Sequence, residues 1–264
     1  MTAIPRILVL AGRRAAALDP LAAAAGVTHK CLVPVAGEAM LGRVLRIVEA
    51  AFPDAPVFVS VEDFATVAAE PTVARLHAGG RLTPLEARPH IVDSVVAAAG
   101  ATGFPLIITT ADNVLMTPAV LRQVAEVGET GGADGLVVLA RKEDILAAHP
   151  DGQRRFYRFR DGEFSNCNLF WLGSERALAT TESFREGGQF AKHPARIVKA
   201  FGLLNLIRFR LGWTPIGRGF VHMSRRFGVE IRPLLIGDGR VAIDVDNART
   251  LRVAEEILAR ETNA

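Results

Sequence analysis

Lysine is scarce in this 264-residue chain: Lys30, Lys142, Lys192 and Lys199 stand among 31 Lys plus Arg. Arginine is the default cation, so a lysine marks a place where a flexible point charge was kept. Cysteine is scarcer still. Cys31 and Cys167 lie too far apart in sequence for a Cys-x-x-Cys metal or redox signature and are too few for a disulfide framework, which fits a reducing cytoplasm. Long apolar runs are missing as well. The opening MTAIPRILVLAG is too short and poorly flanked for a signal peptide, and no stretch reaches the roughly 18 apolar residues of a membrane span.

What is present is enough for a large core: 50% hydrophobic and 22% charged residues. That composition predicts one globular unit over 1–264, with a subdomain or insertion over 150–232. The net charge of +3 is unevenly spread. Residues 192–232 carry nine Lys or Arg against Glu230 alone, a balance of +8, which leaves −5 elsewhere. Either this stretch is an arginine-rich solvated face or it meets an anionic partner. It also interleaves Phe201, Leu203, Leu204, Leu206, Ile207, Phe209 and Trp213 with the arginines. The apolar residues either pack on the sheet or rest against an anionic membrane surface; no nucleic-acid partner is expected.

Four continuous apolar runs, RILVL at 6–10, PVFVSV at 56–61, PLIITTA at 105–111 and GLVVLA at 135–140, read as central strands covered on both faces. Helical patterns at 40–52, 91–100 and 118–130 alternate with them. The third carries Thr117 as cap and Pro118 at the first helical position. The alternation predicts an α/β fold, a Rossmann-like, mostly parallel sheet flanked by helices, with a basic helical insertion in the second half. RRFYRFRDGEFSNCNLFWL at 154–172 predicts a hairpin turning at Asp161-Gly162. VAIDVDNARTLRVAEEILARE at 241–261 predicts a short strand running into a helix.

Three stretches carry chemistry. LVLAGRR at 8–14 ends a strand in Ala-Gly, where a phosphate can approach backbone amides without a Cβ in the way, or where a structural turn is made. Lys30 follows that loop; its ammonium can track triphosphate oxygens as charge moves, which arginine's planar fork does less well. IITTADNVLMTP at 107–118 delivers Asp112 to a strand end, to hold magnesium or to cap a turn. In AIDVDNARTL, Asp244 and Asp246 at i, i+2 share a face of the expected strand. Asp246 is the better metal ligand and Asp244 its support, unless one of them only caps the helix near Ala248.

In this order, the Leu-Ala-Gly loop, Lys30 before LVPVAGEAML, TTAD, SNCNLF and IDVDNARTL resemble the nucleotidyltransferases of the molybdenum cofactor guanylyltransferase (MobA-like) type over residues 6–258. The sequence departs from their pattern at Arg13, which replaces a glycine, and at Glu38, which replaces a lysine. The resemblance implies an NTP donor, Mg2+, and attack by an acceptor phosphate on the α-phosphate with loss of pyrophosphate. It implies that Leu10, Ala11, Gly12 and Arg13 cradle the phosphates, that Lys30 stabilises the developing charge, and that Asp112 and Asp246 hold the metal. Asp93 and Ser94 fall where relatives touch the base or ribose, and Asn166 and Asn168 where they shape the acceptor side. The implied acceptor is a phosphorylated small molecule or lipid precursor, which would place the protein in the cytoplasm or at the inner face of the membrane. Two other readings stay open: a nucleotide-sugar glycosyltransferase using the Asp-x-Asp, and a non-catalytic nucleotide-binding module.

Overall fold

Burial on both faces is what turns the four apolar runs into strands. In the computed structural model, which describes residues 4–13, 18–184 and 213–262, β1 (Arg6–Leu10) leads to a short helix α1 (Pro20–Ala24), a ribbon of β2 (Pro34–Val35) and β3 (Glu38–Ala39), and helix α2 (Met40–Ala51). Then come β4 (Val57–Val61), α3 (Pro71–Ala78), β5 (Leu82–Glu86), α4 (Ile91–Thr102), β6 (Leu106–Thr110), α5 (Pro118–Thr130), β7 (Gly135–Arg141) and α6 (Lys142–Ala148). A hairpin of β8 (Tyr157–Phe159) and β9 (Gly162–Leu172), helix α7 (Ile216–Phe227), β10 (Ile231–Ile236) and helix α8 (Ala248–Thr262) follow.

The main sheet runs β10-β7-β9-β6-β1-β4-β5, with β8 paired to β9. Its strands are parallel except β9, which runs antiparallel between β6 and β7. The second half therefore completes the sheet of the first. Leu8 packs on one face with Val95, Ala98 and Ala99 of α4. Its neighbours Ile7 and Val9 join the larger cluster on the other face with Leu41, Val44 and Leu45 of α2 and Leu121 and Val124 of α5. Thr117 caps α5 as expected, its hydroxyl accepting from the Val120 amide at 3.3 Å.

Two local expectations are corrected. Phe159 pairs with Gly162, so the hairpin turns at Arg160-Asp161 and Gly162 opens the second strand. Asp161 is then free to serve another element: its carboxylate accepts from the Ile216 amide at 2.9 Å, at the start of α7. Residues 241–246 form no strand. A 3-10 turn over Gly239–Ala242 runs into irregular backbone before α8. The amides of that backbone bond outside any strand ladder, Val245 to Asp112 O at 3.1 Å and Asp246 to Thr250 Oγ1 at 2.8 Å. Of the basic stretch at 192–232, residues 192–212 lie outside the described residues. Residues 216–227 form α7 and 231–236 form β10, with Trp213 and Val221 exposed. No helix among the described residues is long and apolar enough to cross a membrane.

Candidate active site

Parallel strands end on one edge, so their following loops converge. Leu10 pairs with Ser60 of β4 and with Thr110 of β6. The backbone ties continue just past the strands: the Ala11 amide donates to Ser60 O at 2.9 Å, Ala111 to Leu10 O at 3.0 Å and Ala87 to Val61 O at 3.0 Å. This carboxyl edge gathers Gly12, Glu62, Ala87 and Asp112, the usual ligand-binding edge of an α/β sheet.

At its centre Lys30 Nζ donates to Asp112 Oδ2 at 2.6 Å and to Asp246 Oδ1 at 2.8 Å. Three segments far apart in sequence supply this triad. Lys30 stands on a 3-10 turn over Lys30–Leu32, Asp112 just beyond β6, and Asp246 just before α8. Burial alone lowers the Lys30 pKa, but Asp112 and then Asp246 outweigh it and hold it above its ordinary value, so the site keeps its ammonium through the neutral range.

Neighbours fix each carboxylate. Asp112 Oδ1 accepts from the Thr110 hydroxyl at 2.5 Å, and the Asp112 carbonyl accepts from the Val245 amide at 3.1 Å, which ties the two acidic loops together. The Asp246 amide donates to Thr250 Oγ1 at 2.8 Å. The cap of α8 is Asn247, whose Oδ1 accepts from the amides of Arg249 and Thr250 at 3.1 and 3.2 Å. Neither aspartate is spent on that task, and Asp246 faces the lysine.

Asp244 goes elsewhere. Its Oδ2 accepts from Asn168 Nδ2 at 2.6 Å. Asn168 sits at φ +46°, beside an irregularity in the β7–β9 register between Val137 and Leu139, and its amide donates to Asn166 Oδ1 at 3.1 Å. Asn166 and Asn168 thus form one connected group with Asp244. Ser94 is turned to the loop before it, accepting from the Arg88 amide at 2.7 Å, and Asp93 lies in the first turn of α4.

At the glycine loop, the Arg13 amide donates to Glu62 Oε1 at 2.5 Å. A Cβ on Gly12 would stand 3.0 Å from Ala87 Cβ and 3.1 Å from Glu62 Oε1, tight against both.

Sequence reasoning missed Glu62, Thr110, Asn113 and His29. Asn113 is fully buried and donates to Cys167 O at 2.8 Å and Thr109 Oγ1 at 3.3 Å, binding the acidic loop to β9. Its place beside Asp112 was the available signal. His29 is buried beside Lys30, with Nδ1 against the Thr28 hydroxyl at 3.0 Å and no hydrogen-bond partner for Nε2 among the described residues. Burial, then the charge of Arg13, push its pKa below the ordinary value. Burial pushes the Cys31 thiol up to about 12 and the Cys167 thiol well above its usual range, so neither is a nucleophile at neutral pH.

Among the described residues no group of three or more His, Cys, Asp or Glu could hold a metal unaided. Asp112 and Asp246 nevertheless converge on one point, and a cation, the Lys30 ammonium, occupies it. Two anionic oxygens would suit a hard divalent ion.

No curated protein sequence matches the chain. Among solved structures, a hypothetical transferase from Thermus thermophilus superposes with TM-score 0.76 at 24% identity, covering 94% of this chain and 99% of its own. A CMP:2-keto-3-deoxy-manno-octonic acid synthetase complexed with CTP gives 0.57 at 14%, covering 97% and 98%. Molybdopterin-guanine dinucleotide biosynthesis protein A from Archaeoglobus fulgidus gives 0.50 at 12%, covering 97% and 99%. These likenesses show the Rossmann-like fold. The family model of the MobA-like NTP transferase domain matches residues 7–203, which include β1 from Ile7 onward with its glycine loop, Lys30 and Asp112. The chain belongs to the MobA-like NTP transferase domain family and is an NTP-dependent nucleotidyltransferase.

Proposed function

We propose that the protein transfers a nucleotidyl group from an NTP to an anionic, phosphorylated acceptor, a small molecule or lipid precursor, and releases pyrophosphate. The observation that carries this reading is the Lys30 ammonium held between Asp112 and Asp246 at the sheet edge, at 2.6 and 2.8 Å, one loop away from Gly12. Backbone amides after β1 receive the donor's phosphates. An acceptor phosphate oxygen attacks the α-phosphorus while the bond to pyrophosphate breaks, and negative charge grows on the leaving oxygens. Lys30 follows that charge as a mobile point cation. Asp112 and Asp246 would hold Mg2+, which supplies charge neutralisation on the phosphates when bound. Asn166, Asn168 and Asp244 line the acceptor side, and Asp93 and Ser94 the nucleoside side.

An Asp-x-Asp diphosphate grip, as a glycosyltransferase would use, is disfavoured. Asp246 is directed to Lys30 and Asp244 to Asn168, so the two do not act as one clamp.

Incubation with each of ATP, CTP, GTP and UTP, labelled pyrophosphate, magnesium and a panel of phosphorylated acceptors tests the reading, since label enters the NTP only by reversal of transfer to an acceptor. Exchange of label into one NTP supports it, and binding without exchange in the presence of candidate phosphorylated acceptors overturns it. Asp112→Asn and Asp246→Asn should each weaken the metal dependence of exchange, since each removes an anionic oxygen from a hard cation. Full activity in excess chelator would remove the two-carboxylate metal site.

A further inference from the structure

The glycine loop already holds an anion, and that anion is part of the chain. Glu62, the first residue after β4, places Oε1 2.5 Å from the Arg13 amide. The acceptor is a carboxylate, so the bond is charge-assisted. The Cα of Gly12 is bare toward the same carboxylate oxygen. Glu62 is exposed, so its side chain can swing away without opening the core. The next residue cannot substitute for it: Asp63 accepts from the Ala65 amide at 3.0 Å, starting the turn after β4.

We propose that Glu62 is a built-in competitor for the donor's phosphate seat, occupying the loop amide in the empty site and leaving when a phosphate takes it. This rests on the reading of the loop as a phosphate cradle. Phosphate and carboxylate need the same N–H, and two like charges repel when brought to it together. Donor binding therefore includes the cost of displacing Glu62. The carboxylate also keeps the loop amide pointing into the site before a donor arrives. Because the competition is for phosphate, it acts equally on all four bases, and it sets donor affinity rather than donor choice.

The test compares wild type, Glu62→Gln and Glu62→Ala for binding of ATP, CTP, GTP, UTP and inorganic pyrophosphate, each with magnesium, by titration calorimetry, with KM and kcat for the accepted donor. Both variants remove the charge, and Ala also vacates the seat. Each should bind the accepted NTP and pyrophosphate tighter by roughly tenfold, the scale of one charge-assisted hydrogen bond at an exposed carboxylate. The gain should fall in KM rather than in kcat. Unchanged or weaker binding in both variants overturns the proposal, and so does a gain confined to one base and absent for pyrophosphate, which would make Glu62 a reader of the nucleoside. Wild type that binds none of these ligands and exchanges no pyrophosphate overturns the transferase reading itself, and this one with it. Melting temperatures of the three proteins confirm that the exposed substitution leaves the fold intact.

Discussion

Lys30 is worth more to the molecule than a solvated lysine. Its side chain is 22% exposed and sits against an Asp112 side chain exposed by 11%, so truncation leaves a mostly buried carboxylate without its cation. Lys30→Ala should lower turnover by about 10²- to 10³-fold, as losing one preorganised transition-state contact does. It should also cost about 1–3 kcal/mol of stability for the stranded charge. Single-turnover rates and urea midpoints check the two separately; an unchanged kcat would remove the catalytic role. His29 predicts a pH effect. Its pKa is lowered in the fold from the ordinary 6.5, so below that pH the unfolded chain takes up the proton first. Its contribution to stability is present above about pH 6.5 and is lost as pH falls toward and through the lowered folded value, by at most about 1.4 kcal/mol per pH unit. Urea midpoints between pH 7.5 and 5.5 should fall less steeply for His29→Gln than for wild type.

Helix α5 meets the sheet through a glycine. A Cβ on Gly128 would enter the indole ring of Trp171 on β9, whereas a Cβ on Gly100 of α4 meets nothing within 4 Å. The same substitution should therefore act in opposite directions. Gly128→Ala should destabilise by about 1–3 kcal/mol through overpacking, and Gly100→Ala should stabilise by up to about 1 kcal/mol through helix propensity. Denaturant midpoints decide, and a stabilising Gly128→Ala would mean that α5 does not seat on Trp171. Elements with strong local signals were readable in advance: β1, β4, β6, β7, α2, α4 and α5 follow from their apolar periods and from the Thr117-Pro118 start. The short α1, α3, α6 and the edge strand β5 were not anticipated. Their 5 to 8 residues carry too little periodicity to outvote turn chemistry, and β5 holds Pro84, which is tolerated there because it is an edge strand.

At the scale of the whole molecule, the site is assembled by the sheet: Lys30 and Asp246 are 216 residues apart, so donor binding should tighten the fold across its length. With magnesium present, the accepted NTP at a hundredfold over its Kd should stabilise the protein by about 2.7 kcal/mol. A thermal-shift panel of ATP, CTP, GTP and UTP should single out one base or a pair. Equal small shifts for all four, matched by pyrophosphate, would place recognition in the phosphates alone.

The residue order by itself determined the α/β class, the strand-end positions of Gly12 and Asp112, the oddity of a lone lysine at 30 and the family resemblance, because each is written in local period or residue type. Only the tertiary structure decided which carboxylates share the lysine. The backbone before α8 is irregular rather than a strand, and Asn247 rather than an aspartate takes the cap, so Asp246 meets Lys30 while Asp244 meets Asn168. The same holds for Glu62. No motif marks it, and it reaches the Arg13 amide only because β1 and β4 are neighbours in register and end on one edge. Proximity between residues 49 positions apart depends on strand order, which sequence period does not encode.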